Sequence, residues 1–310
     1  MRVSRPARED LERFAGPAAL ALAGAALVAG SRWLRRRPPL ALRDKVAVIT
    51  GGSRGLGLLI ARELAAAGAR LAIVARDPGE LDLARRELAA LGGHRVLALP
   101  CDVGKEEEVG WAIAAAAERF GRLDILINNA GLNHRGPILQ HSARALRDVI
   151  TTNLTAPVVL TRAAVEKLAP GGAVVNVASL AGMIPVPHEA AYSASKAGLR
   201  AFTRSLREEF PKLRIATVCP GPVDTGFFGD LAQVPNLVFS QPMSSADEVA
   251  DAVLACIVGE RDEIALPSLS GKLATAGYVF PFLAAWLRPM LERRGAAAKA
   301  RYAERRRAAT

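Results

Sequence analysis

Residues 45–57 read KVAVITGGSRGLG, and this stretch decides the fold. It begins as a β-branched apolar run of the length a buried strand takes, closed by glycine. The run passes straight into Thr50-Gly-Gly-Ser-Arg-Gly-Leu-Gly57, where Gly51, Gly55 and Gly57 keep the spacing G-x-x-x-G-x-G, and residues 55–68 then carry an apolar helical pattern. Glycines in such a turn permit a tight bend, close approach of the backbone to a pyrophosphate, and close packing of the helix whose N-terminal amides meet the phosphate. A second apolar run, Arg70 to Ala75, makes the unit βαβ.

The alternation continues outward. Further strands are predicted at Arg95–Leu99, Leu123–Asn128, Ala173–Ala178, Leu213–Cys219 and Glu263–Leu266, with helical patterns between them. Apolar residues make up 51% of the 310 residues and aromatics only 5%, so the interior must be built mainly of Ala, Val, Leu and Ile, as for helices packed on a parallel sheet. The expected class is α/β, a doubly wound parallel sheet flanked by helices on both faces, with apolar extensions at each end. The expected division is 1–40, 41–270 and 271–310.

A carboxylate at the end of the second strand would hold the two ribose hydroxyls of NAD, but Ala75 and Arg76 stand there. With Arg54 inside the turn, two guanidinium groups can converge on a 2′-phosphate, so the expected cofactor is NADP(H). Asp77, the nearest acid, opens Asp77-Pro-Gly-Glu80 as a helix N-cap with Pro at N1 and Glu at N3, a structural task that directs it along the helix.

Net charge is +11, yet the arginines concentrate at the two ends, around Arg32–Arg37 and from Arg293 to Arg307, beside apolar runs. That placement suits an anionic membrane surface better than a nucleic-acid groove, and no nucleic-acid partner is expected. The uncharged stretch FAGPAALALAGAALVAGS, residues 14–31, is read as a membrane anchor; the denser arginine cluster after it places the catalytic domain on the cytoplasmic side. A second apolar segment, Leu273 to Leu287, is short and contains Pro281, and reads either as an interfacial hairpin or as a lid or core helix. Cys101, Cys219 and Cys256 are scattered, and His94, His134, His141 and His188 form no i,i+4 pair, so neither disulfides nor a metal are expected.

Tyr192-Ser-Ala-Ser-Lys196 sets a phenol and an ammonium four residues apart on one helix face. A lysine charge one turn away stabilises a phenolate and lowers the tyrosine pKa, which makes the pair a proton-transfer candidate.

Together these stretches resemble the short-chain dehydrogenase/reductase family over roughly residues 43–267, a Rossmann-type fold. In order along the chain, TGGSRGLG at Thr50 looks like the family's nucleotide turn, Cys101-Asp-Val103 like its adenine contact, Asn128-Asn-Ala-Gly131 like its fourth-strand motif, and Pro220-Gly-Pro-Val-Asp-Thr225 like its nicotinamide loop. The resemblance implies a cofactor site at Gly51, Ser53, Arg54, Gly55, Leu56, Gly57, Arg76, Asp102, Val103, Asn129, Ala130, Gly131, Pro222, Val223 and Thr225, joined by Tyr192 and Lys196. It also implies the catalytic tetrad Asn153, Ser179, Tyr192 and Lys196. In those roles Tyr192 supplies a proton, Ser179 hydrogen-bonds the reacting oxygen, Lys196 lowers the tyrosine pKa and binds the nicotinamide ribose, and Asn153 holds a water that relays protons to the lysine. Ala156 stands where the family commonly has glycine. The family commonly pairs through the helices carrying Asn153 and Tyr192, so a homodimer is expected.

The expected activity is interconversion of a carbonyl and a secondary alcohol on a lipophilic substrate such as a steroid, retinoid, sphingoid base or long-chain acyl ketone. The substrate class rests on the expected membrane location alone. Reduction of a soluble small ketone by an anchored enzyme is the main alternative, and a non-catalytic nucleotide-sensing scaffold a further one. Substrate-facing residues are expected at Leu180 to Glu189, near His134, and from Phe227 to Pro242.

Overall fold

A computed structural model describes residues 38–92, 96–225, 228 and 230–308. The chain divides into two units, Met1–Pro39 and Leu40–Thr310, and the sheet with its helices belongs to the second. Seven strands form one parallel sheet: β1 (Val46–Thr50), β2 (Arg70–Ala75), β3 (Val96–Pro100), β4 (Leu123–Asn128), β5 (Leu168–Val177), β6 (Arg214–Pro220) and β7 (Glu263–Leu266), in the order β3-β2-β1-β4-β5-β6-β7. The order reverses between β1 and β4, so a crevice opens at the carboxyl ends of these two strands.

Helices connect the strands. They are α1 (Gly55–Ala66), α2 (Pro78–Gly92), α3 (Glu106–Phe120), α4 (Ala143–Ile150), α5 (Ala156–Val165), α6 (Ala190–Glu209) and α7 (Ala246–Val258), followed by α8 (Ser268–Val279) and α9 (Pro281–Ala308). Both faces of the sheet are covered, which is why β1 and β4 are buried at every position and are mainly apolar. Ala47, Ile49, Ile125 and Ile127 face one layer with Ile60 and Leu64 of α1 and Val253 of α7, while Val46, Val48 and Leu126 face the other with Ile113 of α3 and Leu160 of α5.

The predicted and observed strands coincide at β2, β4 and β7 and differ by a residue or so at β1, β3 and β6. Strand β5 begins earlier than expected, because Leu168 pairs with Leu123 before a register shift across the glycines at 171 and 172. At that shift Gly171 has φ +76, and a Cβ on Gly172 would sit 2.7 Å from the carbonyl oxygen of Asp124. Asp77 caps α2 as expected, its Oδ1 accepting from the amide of Glu80 at 2.9 Å.

The expected membrane location is corrected. No helix among the described residues is long and apolar enough to cross a membrane. The apolar C-terminal stretch is cut at Phe280 by Pro281, which starts a new helix, and α9 then carries Arg288, Glu292, Arg293 and Arg294. The expected anchor, residues 14–31, lies outside the described residues.

Candidate active site

Building the site starts with the glycine turn. Gly51 and Gly55 have φ of +66 and +54, and a Cβ on Gly57 would collide with the carbonyl of Gly51, so the turn tolerates no side chain at these points. The motif at the end of β4 braces it: Asn129 Nδ2 donates to the carbonyl of Thr50 at 3.0 Å, and the amides of Asn129 and Ala130 both donate to Thr50 Oγ1 at 3.0 Å. A turn held open in this way, at the N-terminus of α1, fits the pyrophosphate of a dinucleotide.

This turn forms one end of a cavity of about 1260 Å³. Gly51, Ser53, Arg54, Gly55, Leu56 and Gly57 line it, with Arg76 after β2, Asp102 and Val103 after β3, and Asn129, Ala130 and Gly131 after β4. Pro222, Val223 and Thr225 line it from beyond β6, and Ser179, Tyr192 and Lys196 form its far floor. Of the expected cofactor and tetrad residues, Asn153 alone is absent from the lining.

At the end near β2, Arg76 is exposed and Arg54 Nη1 meets Glu80 Oε1 at 3.3 Å, while Ser53 Oγ donates to Glu80 Oε2 at 3.1 Å. Glu80 was legible only as a capping residue; the fold brings it back to the turn. It ties α2 to the glycine loop, and Arg76, Asp77 and Glu80 line the cavity together there.

At the other end Tyr192 and Lys196 are almost wholly buried on α6, and Ser179 begins the turn after β5, its Oγ accepting from the amide of Ala181 at 3.1 Å. Burial pushes the Tyr192 phenol up to about 12, and the Glu189 carboxylate adds to that; hydrogen bonding with Ser179 and the Arg135 charge act the other way. Burial brings the Lys196 ammonium down to about 8. Lys196 Nζ donates to the carbonyl of Val177 at 2.8 Å and lies 5.8 Å from the Tyr192 ring centroid. Burial of Tyr192 outweighs the spacing of the pair, so its phenol is raised.

Asn153 lies in a π-helical turn, Thr151–Thr155, that joins α4 to α5, and it is fully buried. Its Oδ1 accepts from the amide of Leu132 at 2.8 Å, and its Nδ2 donates to the Leu132 carbonyl at 2.7 Å and to Ser195 Oγ at 3.1 Å. Both amide protons are thus taken up in fastening the chain after β4 to α6. The place where a Cβ of Gly131 would be lies 3.6 Å from Asn153 Oδ1 and 3.8 Å from Lys196 Nζ, so Gly131 stands between them.

The substrate side holds residues that sequence reasoning did not single out. Arg135, not His134, lines the cavity, and its Nε donates to Glu189 Oε1 at 2.7 Å with both side chains nearly inaccessible. Arg135 Nη1 also donates to the carbonyl of Phe228 at 3.0 Å. Leu180 and Ile184 to Val186 line the wall as expected, with Leu237, Val238 and Pro242 opposite; Phe227 lies outside the described residues. Leu269, Leu273 and Ala274 of α8 and Leu291 and Arg294 of α9 complete the outer rim. Only the apolarity of the C-terminal segment signalled this in the sequence.

The model of the family described as short chain dehydrogenase matches residues 45–235. The chain is 36% identical over 220 residues to carbonyl reductase family member 4 of Danio rerio, an alignment covering 68% of this chain and 90% of that protein. It is 38% identical over 192 residues to a 3-oxoacyl-(acyl-carrier-protein) reductase of Bos taurus, covering 61% and 79%. Among solved structures, a short chain dehydrogenase of Burkholderia cenocepacia in complex with NADP superposes with a TM-score of 0.66 at 31% identity, covering 73% of this chain and 97% of that one.

Proposed function

The chain belongs to the short-chain dehydrogenase family and is an oxidoreductase, and from that premise we propose that it reduces a carbonyl on an apolar, acyl-like substrate with NADPH. The observation that carries the reading is the convergence of Ser179, Tyr192 and Lys196 at the floor of the cavity that the glycine turn opens.

Gly51 to Gly57 would hold the pyrophosphate, Asp102 and Val103 the adenine end, and Pro222 to Thr225 the nicotinamide end. Arg76 and Arg54 favour a 2′-phosphate over bare ribose hydroxyls, since β2 ends without a carboxylate. When bound, the nicotinamide supplies the hydride.

The chain's own work is on the oxygen. A phenol raised to about 12 is protonated at neutral pH, so Tyr192 is set to give its proton to an oxygen that gains negative charge during reduction. Ser179 donates a second hydrogen bond to that oxygen and so stabilises the charge as it develops. Lys196, which donates to the Val177 carbonyl, would hold the ribose hydroxyls of the cofactor, and its charge would favour the phenolate left behind. Asn153 keeps α6 and the segment after β4 in register, so that the lysine and the nucleotide face each other.

The substrate class rests on the wall, not on location. Leu180, Ile184, Leu237, Leu269, Leu273 and Leu291 present an apolar surface from the floor to the mouth. An acyl chain laid along it would leave its carbonyl at Tyr192.

Purified protein is assayed for NADPH and NADH oxidation against ketones and 3-oxoacyl thioesters of graded chain length, with Tyr192→Phe as the control. Turnover of long-chain ketones with NADPH, reduced at least ~100-fold in the variant, is the expected result. Turnover confined to short polar ketones would remove the substrate assignment. Cofactor binding without turnover of any ketone would remove the reductase reading itself.

A further inference from the structure

The last helix is built into the active-site wall. A Cβ on Gly295 of α9 would run into the carbonyl of Asn236, so the helix backbone rests directly on the 3-10 turn Asn236–Ser240. Close approach of this kind fixes a helix axis more tightly than side-chain packing does. One turn further on, Lys299 Nζ donates to the carbonyl of Val234 at 2.6 Å. Next comes Tyr302, 6% exposed, its ring 6.0 Å from that of Phe228 and 5.6 Å from that of Phe239.

The ring is packed between Phe228 and Phe239 and buried. Its hydroxyl donates to the exposed carboxylate of Asp224, at 2.6 Å from Oδ1. Asp224 lies between Val223 and Thr225, both on the cavity wall, and the carbonyl of Thr225 sits 3.3 Å from where a Cβ of Gly55 would be. The tyrosine thus reaches, through one carboxylate, the segment that faces the glycine turn across the nucleotide cavity.

We propose that Tyr302 is a positioning residue: by holding Asp224 it sets the path of Pro222–Thr225 against the bound dinucleotide, and α9 is a working part of the active site. The proposal rests on reading the cavity as a dinucleotide site. Burial and the neighbouring carboxylate keep the phenol protonated, at a pKa of about 12, so the hydroxyl remains a donor across the working range. A hydrogen bond from a buried ring to a carboxylate is stronger than one between neutral groups, though exposure of the carboxylate to solvent tempers it.

The test uses the full chain with Tyr302→Phe, which removes only the hydroxyl, Asp224→Ala, and the pair together. NADPH dissociation constants are measured by fluorescence titration, and mass-mapped cleavage of residues 222–230 by limited proteolysis is followed without ligand. Each single variant is expected to weaken NADPH binding about 5-fold and to speed cleavage, and the double variant to do no more than either alone. Effects that multiply in the double variant would overturn the proposal, as would a Tyr302→Phe protein with unchanged NADPH binding and cleavage, even if its thermal midpoint falls. If the unaltered protein binds no NADPH, the reading of the cavity fails by itself, and faster cleavage in both single variants still supports the Tyr302 contact while unchanged cleavage overturns it. Weakened NADPH binding in a protein that reduces no ketone keeps the proposal and sinks the reductase reading.

Discussion

Lys196 and Arg76 are the residues whose environments make the sharpest forecasts. The Lys196 ammonium is brought down to about 8 from 10.5 by burial. A base whose folded pKa is depressed contributes stability that is fully present above 10.5 and lost as pH falls through 8, because between those values the unfolded chain binds the extra proton. The unfolding free energy of the native protein should therefore rise relative to Lys196→Met from pH 8 to 10.5, by up to roughly 3 kcal/mol, in denaturant titrations of both proteins. The raised thiols of Cys101 and Cys256 titrate alike in both and drop out of the difference. A flat difference would mean that the lysine is not desolvated. Arg76→Ala should weaken NADPH binding ~10-fold or more and leave NADH binding nearly unchanged, by titration of each nucleotide; equal losses for both would remove the 2′-phosphate assignment. At this scale the spacing of Tyr192 and Lys196 was legible, but their electrostatics were not, since spacing carries no information about burial. Arg135 and Glu189, and Arg54 and Glu80, were illegible as pairs because each partner lies far along the chain.

Most strands were legible almost to their ends, because β1 and β4 are buried on both faces and are built mainly of Val, Ile and Leu. What joins them was not. Asp124, 1% exposed, reaches across from β4 so that its Oδ2 accepts from the amide of Val46 at the start of β1, at 3.0 Å. Burial alone would raise its carboxyl, but Arg122, the Val46 amide and Lys45 outweigh that and hold it below 3.8. A depressed carboxylate gives stability that is present above its unfolded pKa and lost as pH falls through the folded one. Asp124→Ala should cost about 2 kcal/mol at pH 7 by urea denaturation and flatten the loss of stability below 3.8, while Asp124→Asn, which keeps an acceptor for the amide, should cost less. Equal costs for the two would deny the strand-to-strand contact. A similar join ties β4, β5 and α5: Asn128 Nδ2 donates to Asn176 Oδ1 at 2.7 Å and to Thr161 Oγ1 at 3.1 Å. Asn128 stood out in the sequence within a motif. Asn176, in the middle of an apolar run, gave no sign that it was half of a buried pair.

For the molecule as a whole, the sheet and the nucleotide end follow from periodicity and glycine spacing, whereas the outer rim depends on how α8 and α9 fold back, which no period encodes. Tyr302 sits in an Ala- and Arg-rich tail with nothing to mark it. The same fold-back leaves Leu269 and Leu273 at 65% and 63% exposure although both line the cavity mouth. Side chains so exposed contribute little to the core, so a charge in their place should leave stability within about 0.5 kcal/mol. It should not leave substrate binding alone if an acyl chain leaves the cavity across this rim, because each buried CH₂ is worth about 0.8 kcal/mol of transfer free energy and a carboxylate there would forfeit several. Leu273→Glu should accordingly raise KM for a long-chain 3-oxoacyl thioester about 10-fold or more while leaving KM for a short ketone and the dissociation constant for NADPH near their original values. The comparison is internal, since both ketones meet the same Tyr192 and the same cofactor. If long and short substrates lose equally, the rim touches no substrate, and the exposed apolar surface of α8 is unrelated to what the enzyme reduces.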